Sequence, residues 1–192
     1  MNTSSEHLTP QQSLDTITSM IKQAQGKMRK NSFYFLLWGW TVTLANFGMY
    51  GLMKFTDYEH PYIVWIITIP AWIATMIYGS RQGRDAVVST HLDRINMWLW
   101  ICYGLTILPV VLFMNKINYN LNAIILIITA APTFITGIML RFKPLRFGGI
   151  NFWIFGIICF LVDQQTQYLV GGVAILLGYL VPGYLLKTQY EK

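Results

Sequence analysis

Long apolar runs separated by short polar connections make up the chain after its first 31 residues. Each run is close to the roughly 20 residues that an α-helix needs to cross the hydrocarbon core of a bilayer. None of them contains Asp, Glu, Lys, Arg or His. The pattern predicts six membrane-spanning helices, over residues 32–53, 61–79, 96–114, 121–140, 147–162 and 168–186. The fifth is the shortest, and at 1.5 Å per residue it covers only about 24 Å.

A different periodicity marks the N-terminal segment, residues 1–31. Thr9, Pro10 and Gln12 have the arrangement of a capping box and predict a helix that runs to about Lys30. Apolar residues at steps of three and four form one narrow seam on this amphipathic helix, namely Leu14, Ile17, Ile21, Ala24 and Met28. The seam is a candidate cytoplasmic docking surface for the membrane, for this protein's own loops, or for a helix of another chain.

Asparagine and proline recur in a regular order along the predicted spans. At or near the start of the first, third and fifth spans an Asn is followed by aromatic residues two and four positions later, and each returning span contains Pro. The asparagines are Asn31, Asn96 and Asn151, and the prolines are Pro70, Pro132 and Pro182. The repetition predicts three consecutive helical hairpins, with the Asn and aromatic residues at one membrane interface.

Positive charge is distributed unevenly across the predicted connections. Of the 14 Lys and Arg residues, 12 lie in the N-terminal segment, the second and fourth connections and the tail, residues 187–192. The other two are Lys54 and Lys116. Because basic residues concentrate on cytoplasmic loops, both termini are expected in the cytoplasm. Anchoring beside anionic lipid accounts for the net charge of +6, so membrane lipid is an expected partner and nucleic acid is not.

Composition agrees with an all-α membrane protein and offers little support for an enzyme. The chain is 54% hydrophobic and 11% charged, against about 25% charged residues in soluble domains. The sequence has no H-E-x-x-H, G-x-S-x-G or P-loop motif. His7 and His60 are isolated, and His91 with Asp93 is expected to be solvated in the second connection. We therefore expect neither catalysis nor a cofactor or metal.

Mildly polar residues follow stripes inside several spans and are candidates for lining a cavity. They are Thr43, Asn46 and Tyr50 in the first span, Thr68 and Thr75 in the second, and Thr129, Thr133 and Thr136 in the fourth. Such groups commonly join helices through hydrogen bonds. They could instead line a weakly polar path for a neutral solute. Coupled transport is not expected, because the spans lack the charged residue that usually accompanies it.

A short polar stretch between the last two predicted spans is the other candidate site. Asp163, Gln164 and Gln165 form either a solvated turn or a polar vestibule on the outer side of the membrane.

The segment SLDTITSMIKQAQGKMRKNSFYFLLWGW, residues 13–40, resembles the start of a group of small, uncharacterised multi-span inner-membrane proteins of Bacteroidota-type bacteria. The resemblance implies a bacterial inner membrane and assigns no residue a role. We expect a non-catalytic protein that acts through association, in a regulatory, scaffold or assembly role, as an oligomer or with a protein partner of the N-terminal helix. The alternative is a small uncoupled channel or transporter for a neutral or lipid-like solute.

Overall fold

A computed structural model describes residues 10–84 and 91–189, and at residues 10, 12–31, 82–84 and 189 it describes the helical backbone alone. The described residues form helices joined by short turns, without a β-strand. The α-helices are α1 Pro10–Phe55, α2 Thr68–Arg84, α3 His91–Leu112, α4 Leu121–Met139, α5 Lys143–Leu161, α6 Gln164–Ile175 and α7 Val181–Gln189. Two 3₁₀ segments, Pro61–Ile67 and Met114–Ile117, and one π-helical turn, Leu176–Leu180, complete the list.

Within the part of the chain that the structure describes, five helical stretches are long and apolar enough to cross a membrane: Pro61–Arg81, His91–Leu112, Leu121–Met139, Lys143–Leu161 and Gln164–Thr188. This confirms the expected all-helical fold with several helices apolar enough to span a membrane. The first predicted span, residues 32–53, lies within α1, which is not one of these five, so the sixth span stays a prediction. The span predicted to be short belongs to α5, which has 19 residues and begins at Lys143, before the predicted start at Phe147.

The N-terminal helix does not end near Lys30, as the sequence pattern suggested. α1 continues without interruption to Phe55, over 46 residues and about 69 Å. The junction contains Lys, Met and Arg, which favour helix, and no Pro that would stop it. The seam from Leu14 to Met28 lies along this helix, but its side chains fall outside the described residues.

Four helical segments form the centre of the molecule: α1, α4, α5, and the continuous segment made of α6, the π-helical turn and α7. α1 packs against α6, the π-helical turn and α7, while α5 packs against α4 and α6. At their meeting point the ring of Tyr179 lies 5.6 Å from that of Phe35 and 4.9 Å from that of Phe152. α2 packs on α1, and α3 packs on α4. Neighbours within each predicted hairpin are in contact, yet α4 and α5, from two different predicted hairpins, share the most extensive interface; the hairpin repeat stays a prediction.

The C-terminal segment changes from α-helix to π-helix and back between α6 and α7, next to a proline. Pro182 has no N–H, so the carbonyl of Gly178 cannot accept the usual hydrogen bond from four residues later. The backbone widens into the π-helical turn at this place, and the N–H of Val181 donates to Leu176. The Gly178 carbonyl faces Gly148 of α5 so closely that a Cβ at Gly148 would overlap it. Glycine at position 148 therefore allows two backbones to touch.

Candidate functional site

The threonine stripe of α4 is buried and bonded to neighbouring helices. Thr129 is 2% exposed, and its Oγ1 donates to the carbonyl of Ile125 at 2.6 Å. Its single hydroxyl hydrogen is used there, so the hydroxyl of Tyr103 on α3 must be the donor in the 2.8 Å contact with Thr129.

The next two threonines of the stripe are bonded as well, Thr133 in the same way as Thr129 and Thr136 as a donor to another helix. Thr133 donates to the carbonyl of Thr129 at 2.8 Å, so the hydroxyl of Tyr179 donates to Thr133 across 3.1 Å. Thr136 donates to Oδ1 of Asn96 on α3 at 3.0 Å. All three hydroxyls predicted to line a cavity thus have partners, and they join α4 to α3 and to the π-helical turn.

The polar stripe of α1 contains buried atoms without partners. Asn46 is 1% exposed, and its Nδ2 donates to the carbonyl of Val42 at 2.8 Å. Its Oδ1 and the hydroxyl of Thr43, one helical turn away, are both buried and make no hydrogen bond. Tyr50, the third residue of this stripe, is only part-buried and packs edge-on against the ring of Phe55.

A third unpartnered group comes from α4. Nδ2 of Asn122 is buried and makes no hydrogen bond. Asn46 and Asn122 approach the same place on α6, because a Cβ built at Gly171 would lie 2.9 Å from Oδ1 of Asn46 and 3.2 Å from Oδ1 of Asn122. We call Thr43, Asn46 and Asn122 the outer polar cluster, because these buried residues lie in the half of the bundle that is predicted to face the outside. Sequence reasoning missed Asn122, although an amide at the start of an apolar run and the Gly171–Gly172 pair opposite were visible signals.

The outer polar cluster contains two amides and a hydroxyl, none of which titrates in the physiological range. General acid–base chemistry therefore has no basis here. Buried groups left unbonded are costly, on the order of 1–3 kcal/mol each. A small neutral molecule that both donates and accepts, such as water, has the chemistry to satisfy them.

The remaining predicted candidates lie elsewhere. On α2, Thr68 donates to the carbonyl of Trp65 at 2.6 Å and Thr75 to that of Ala71 at 2.8 Å. Thr75 also accepts from Nε1 of Trp38 at 3.0 Å, which fastens α2 to α1. Thr68 thus bonds to the preceding 3₁₀ segment and Thr75 bonds within α2 and to α1, so their bonds do not reach the outer polar cluster.

The polar stretch before α6 starts a helix. Asp163 is the N-cap residue, and it accepts from the hydroxyl of Thr166 at 2.7 Å and from its backbone N–H at 3.0 Å. These two bonds hold the pKa of Asp163 below its ordinary value. Gln164 and Gln165 are exposed in the first turn. Gln167, which sequence reasoning missed, is buried and donates to Oδ1 of Asn120 at 2.9 Å.

The repeated asparagines connect helices. Asn96 accepts from Thr136, and Nδ2 of Asn151 donates to the carbonyl of Ala174 at 2.9 Å, close to the π-helical turn. Both lie beyond the first turn of their helices, which begin at His91 and Lys143, so neither is a helix cap. The side chain of Asn31 falls outside the described residues.

No protein-family model, curated protein or solved structure matches the chain. Its class follows from the helices themselves. Over residues 10–84 and 91–189 the protein is all-helical, with five helical stretches of membrane-spanning length and hydropathy, and its centre contains one polar stripe with all its hydroxyls bonded and one with unpaired polar atoms.

Proposed function

We propose that this chain is a six-span protein of the bacterial inner membrane, with both termini in the cytoplasm, that acts without catalysis by associating with other protein chains. A regulatory, scaffold or assembly role fits this description. The observation that carries the proposal is the contrast in burial among the helices. In the most apolar 18-residue window of each helix, the buried share is 6% for Pro61–Arg81 and 0% for α3, whereas it is 50% for α4.

The centre of the molecule supports association over transport. Phe152, Leu145 and Leu186 fill it with essentially no exposure, and the threonines of α4 bond to neighbouring helices. Two open grooves lie on the outside of the bundle, beside Trp40. Such a filled core leaves the outward surfaces as the parts that contact other molecules.

α3 has an outward face suited to another helix. Cys102 and Thr106 are exposed one turn apart, and the Thr106 hydroxyl bonds back to the carbonyl of Cys102 at 2.8 Å. Small residues four positions apart let helices approach closely in a membrane, where packing rather than the hydrophobic effect drives association. Leu105 and Leu108 flank them with large exposed side chains.

The natural thiol of Cys102 makes this proposal testable in membranes. A short bismaleimide crosslinker should join Cys102 to a second chain in a protein whose buried Cys159 is replaced by Ala. Leu105→Cys in a Cys102→Ala background should crosslink as well. Ile157→Cys in the same background is the matched control, because Ile157 is similarly exposed on α5.

Crosslinking at α3 that exceeds the Ile157 control and persists when the protein is diluted with lipid would support association. Equal crosslinking at both helices, falling with dilution, would show random collision and overturn the proposal.

A second candidate function rests on the outer polar cluster. Its unpaired donor and acceptors suit a small neutral solute, which favours an uncoupled channel or transporter as the alternative. Purified protein in liposomes would then conduct glycerol or urea, and Asn46→Leu would abolish the flux with little change in stability. No flux above that of empty liposomes would remove this alternative.

A further inference from the structure

We propose that the two amides of the outer polar cluster bind a water molecule that enters from the end of the bundle where α4 and α6 begin and that goes no deeper. Oδ1 of Asn46 on α1 and Nδ2 of Asn122 on α4 are buried without a hydrogen-bond partner. One is an acceptor and the other a donor, so a single water can donate to Asn46 and accept from Asn122. This inference concerns the interior and is independent of the association proposed for α3.

The two amides meet over one glycine of α6. A Cβ built at Gly171 would lie 2.9 Å from Oδ1 of Asn46 and 3.2 Å from Oδ1 of Asn122, so both side chains contact the same point. A water bonded to both amides joins α1 to α4 beside α6. It has the same role in this half of the bundle that the hydrogen bond between Thr133 and Tyr179 has between α4 and the π-helical turn.

The chemistry of the two side chains selects a neutral ligand. Both are uncharged amides, and an ion buried between them would lose its hydration without gaining a countercharge. A buried water typically makes about two to four hydrogen bonds to polar groups that are otherwise unsatisfied. The free acceptor of Asn46 and the free donor of Asn122 provide two such bonds.

Polar residues at the predicted outer end provide the way in. Asn120 precedes α4 and makes no side-chain capping bond, so no side chain there competes with water for the first N–H groups of the helix. Gln167, one turn before Gly171 on α6, donates to Asn120 at 2.9 Å. Asn122 is 9% exposed and Asn46 is 1% exposed, so exposure falls from this end inward.

The path ends at Asn46 because the next turn of α1 faces apolar residues. α1 runs antiparallel to the C-terminal segment: Phe47 packs on Gly172, and Gly39 lies so close to Leu180 that a Cβ there would be 2.8 Å from its Cδ2. Thr43 lies midway between these two contacts on α1, level with Ile175 and Leu176. The Thr43 hydroxyl therefore stays dry, and the water site is a blind pocket.

Solid-state NMR of the full chain in lipid bilayers tests the site when magnetisation starts on water protons and is read on side-chain carbons. Transfer occurs only over a few ångströms, so its initial rate reports contact with water. In the unaltered protein we expect Cβ of Asn46 and of Asn122 to gain signal severalfold faster than Cβ of Ala45 and of Thr43. Ala45 is the matched control, because it precedes Asn46 on α1 and is also 1% exposed.

Two variants test the direction of entry. Asn122→Leu replaces the donor by an apolar side chain of similar volume, so the rate at Asn46 should fall to that of Ala45. Thr43→Val removes a polar group one turn deeper and should leave the rate at Asn46 unchanged. Unaltered chemical shifts of Phe152, which is 0% exposed, show that the bundle of each variant stays folded.

Three results would overturn the proposal. Asn46 gaining signal no faster than Ala45 in the unaltered protein would show a dry site whose amides bond each other directly. An undiminished rate at Asn46 in folded Asn122→Leu would show that the water does not bond Asn122. Thr43 gaining signal as fast as Asn46 would show that water continues inward, as the transport alternative requires, and would contradict the blind pocket.

Discussion

The polar stripes of α4 and α1 look alike in the sequence and differ in the structure. Thr129, Thr133 and Thr136 recur at helical spacing and every hydroxyl finds a partner on the same or a neighbouring helix. Thr43 and Asn46 recur at the same spacing on α1, equally buried, and leave two polar atoms unpaired. The difference teaches that helical spacing predicts which residues face inward, whereas the neighbours decide whether a polar residue stabilises the bundle or leaves a site to be filled.

The largest loss of stability is expected where a buried hydrogen bond between two helices is broken. Thr133→Val keeps the shape of a side chain that is 0% exposed but leaves the hydroxyl of Tyr179 without its acceptor. We expect the free energy of unfolding in detergent to fall by about 1–2 kcal/mol. Adding Tyr179→Phe should recover part of this loss, because both partners are then removed together.

Thr106→Val is the control for that measurement. Thr106 is exposed and bonds only within its own helix, so its replacement should leave stability nearly unchanged. If Thr106→Val lowers stability as much as Thr133→Val does, the loss at Thr133 does not come from its hydrogen bond to Tyr179.

A smaller loss is expected on adding a methyl group beside the outer polar cluster. In Gly171→Ala the new Cβ would lie 2.9 Å from Oδ1 of Asn46, so the amides must shift by a few tenths of an ångström. The free energy of unfolding should fall by about 1 kcal/mol, at the low end of overpacking costs. Gly51→Ala is the matched control, because a Cβ at Gly51 meets nothing within 4 Å. Equal effects of the two changes would show that the cluster is loosely packed.

The smallest change in stability is expected at Thr43. Its sign distinguishes the stripe of α1, where the hydroxyl is unpaired, from the stripe of α4, where the hydroxyls are bonded. Thr43→Val removes a buried hydroxyl that has no partner, so stability should stay unchanged or rise by up to about 0.5 kcal/mol. This is the same substitution as Thr133→Val at a site of nearly equal burial. Thermal unfolding of both variants in one detergent makes the comparison. A clear loss at Thr43 would mean that a water or solute bonds its hydroxyl.

The helices themselves could be predicted, and their ends less well. Continuous apolar runs led to helices that the structure places at nearly the same residues, such as Leu121–Met139 for the predicted 121–140. The continuity of α1 past Lys30 was missed because a change from polar to apolar composition at Asn31 does not interrupt a backbone made of helix-forming residues. The π-helical turn was missed because proline in a membrane helix has several local solutions.

The partners of the polar residues could not be predicted from the sequence. Asn122 lies 76 positions from Asn46 along the chain, and the two approach one another only because α6 presents a glycine between them. Asn96 and Asn151 drew attention through their repeated context, but their bonds to Thr136 and Ala174 depend on the packing of neighbouring helices.

The sequence by itself determined that this protein is helical and apolar along most of its length, and which residues of α1 and α4 face inward. Hydropathy and helical periodicity are local properties, so they can be read within about 20 residues. Only the tertiary structure decided that Tyr179 forms a hydrogen bond with Thr133 while the Thr43 hydroxyl has no hydrogen-bond partner. It also decided that α2 and α3 lie at the outside of the bundle. These outcomes depend on how helices far apart in the chain pack, because a hydrogen bond requires two groups within about 3 Å.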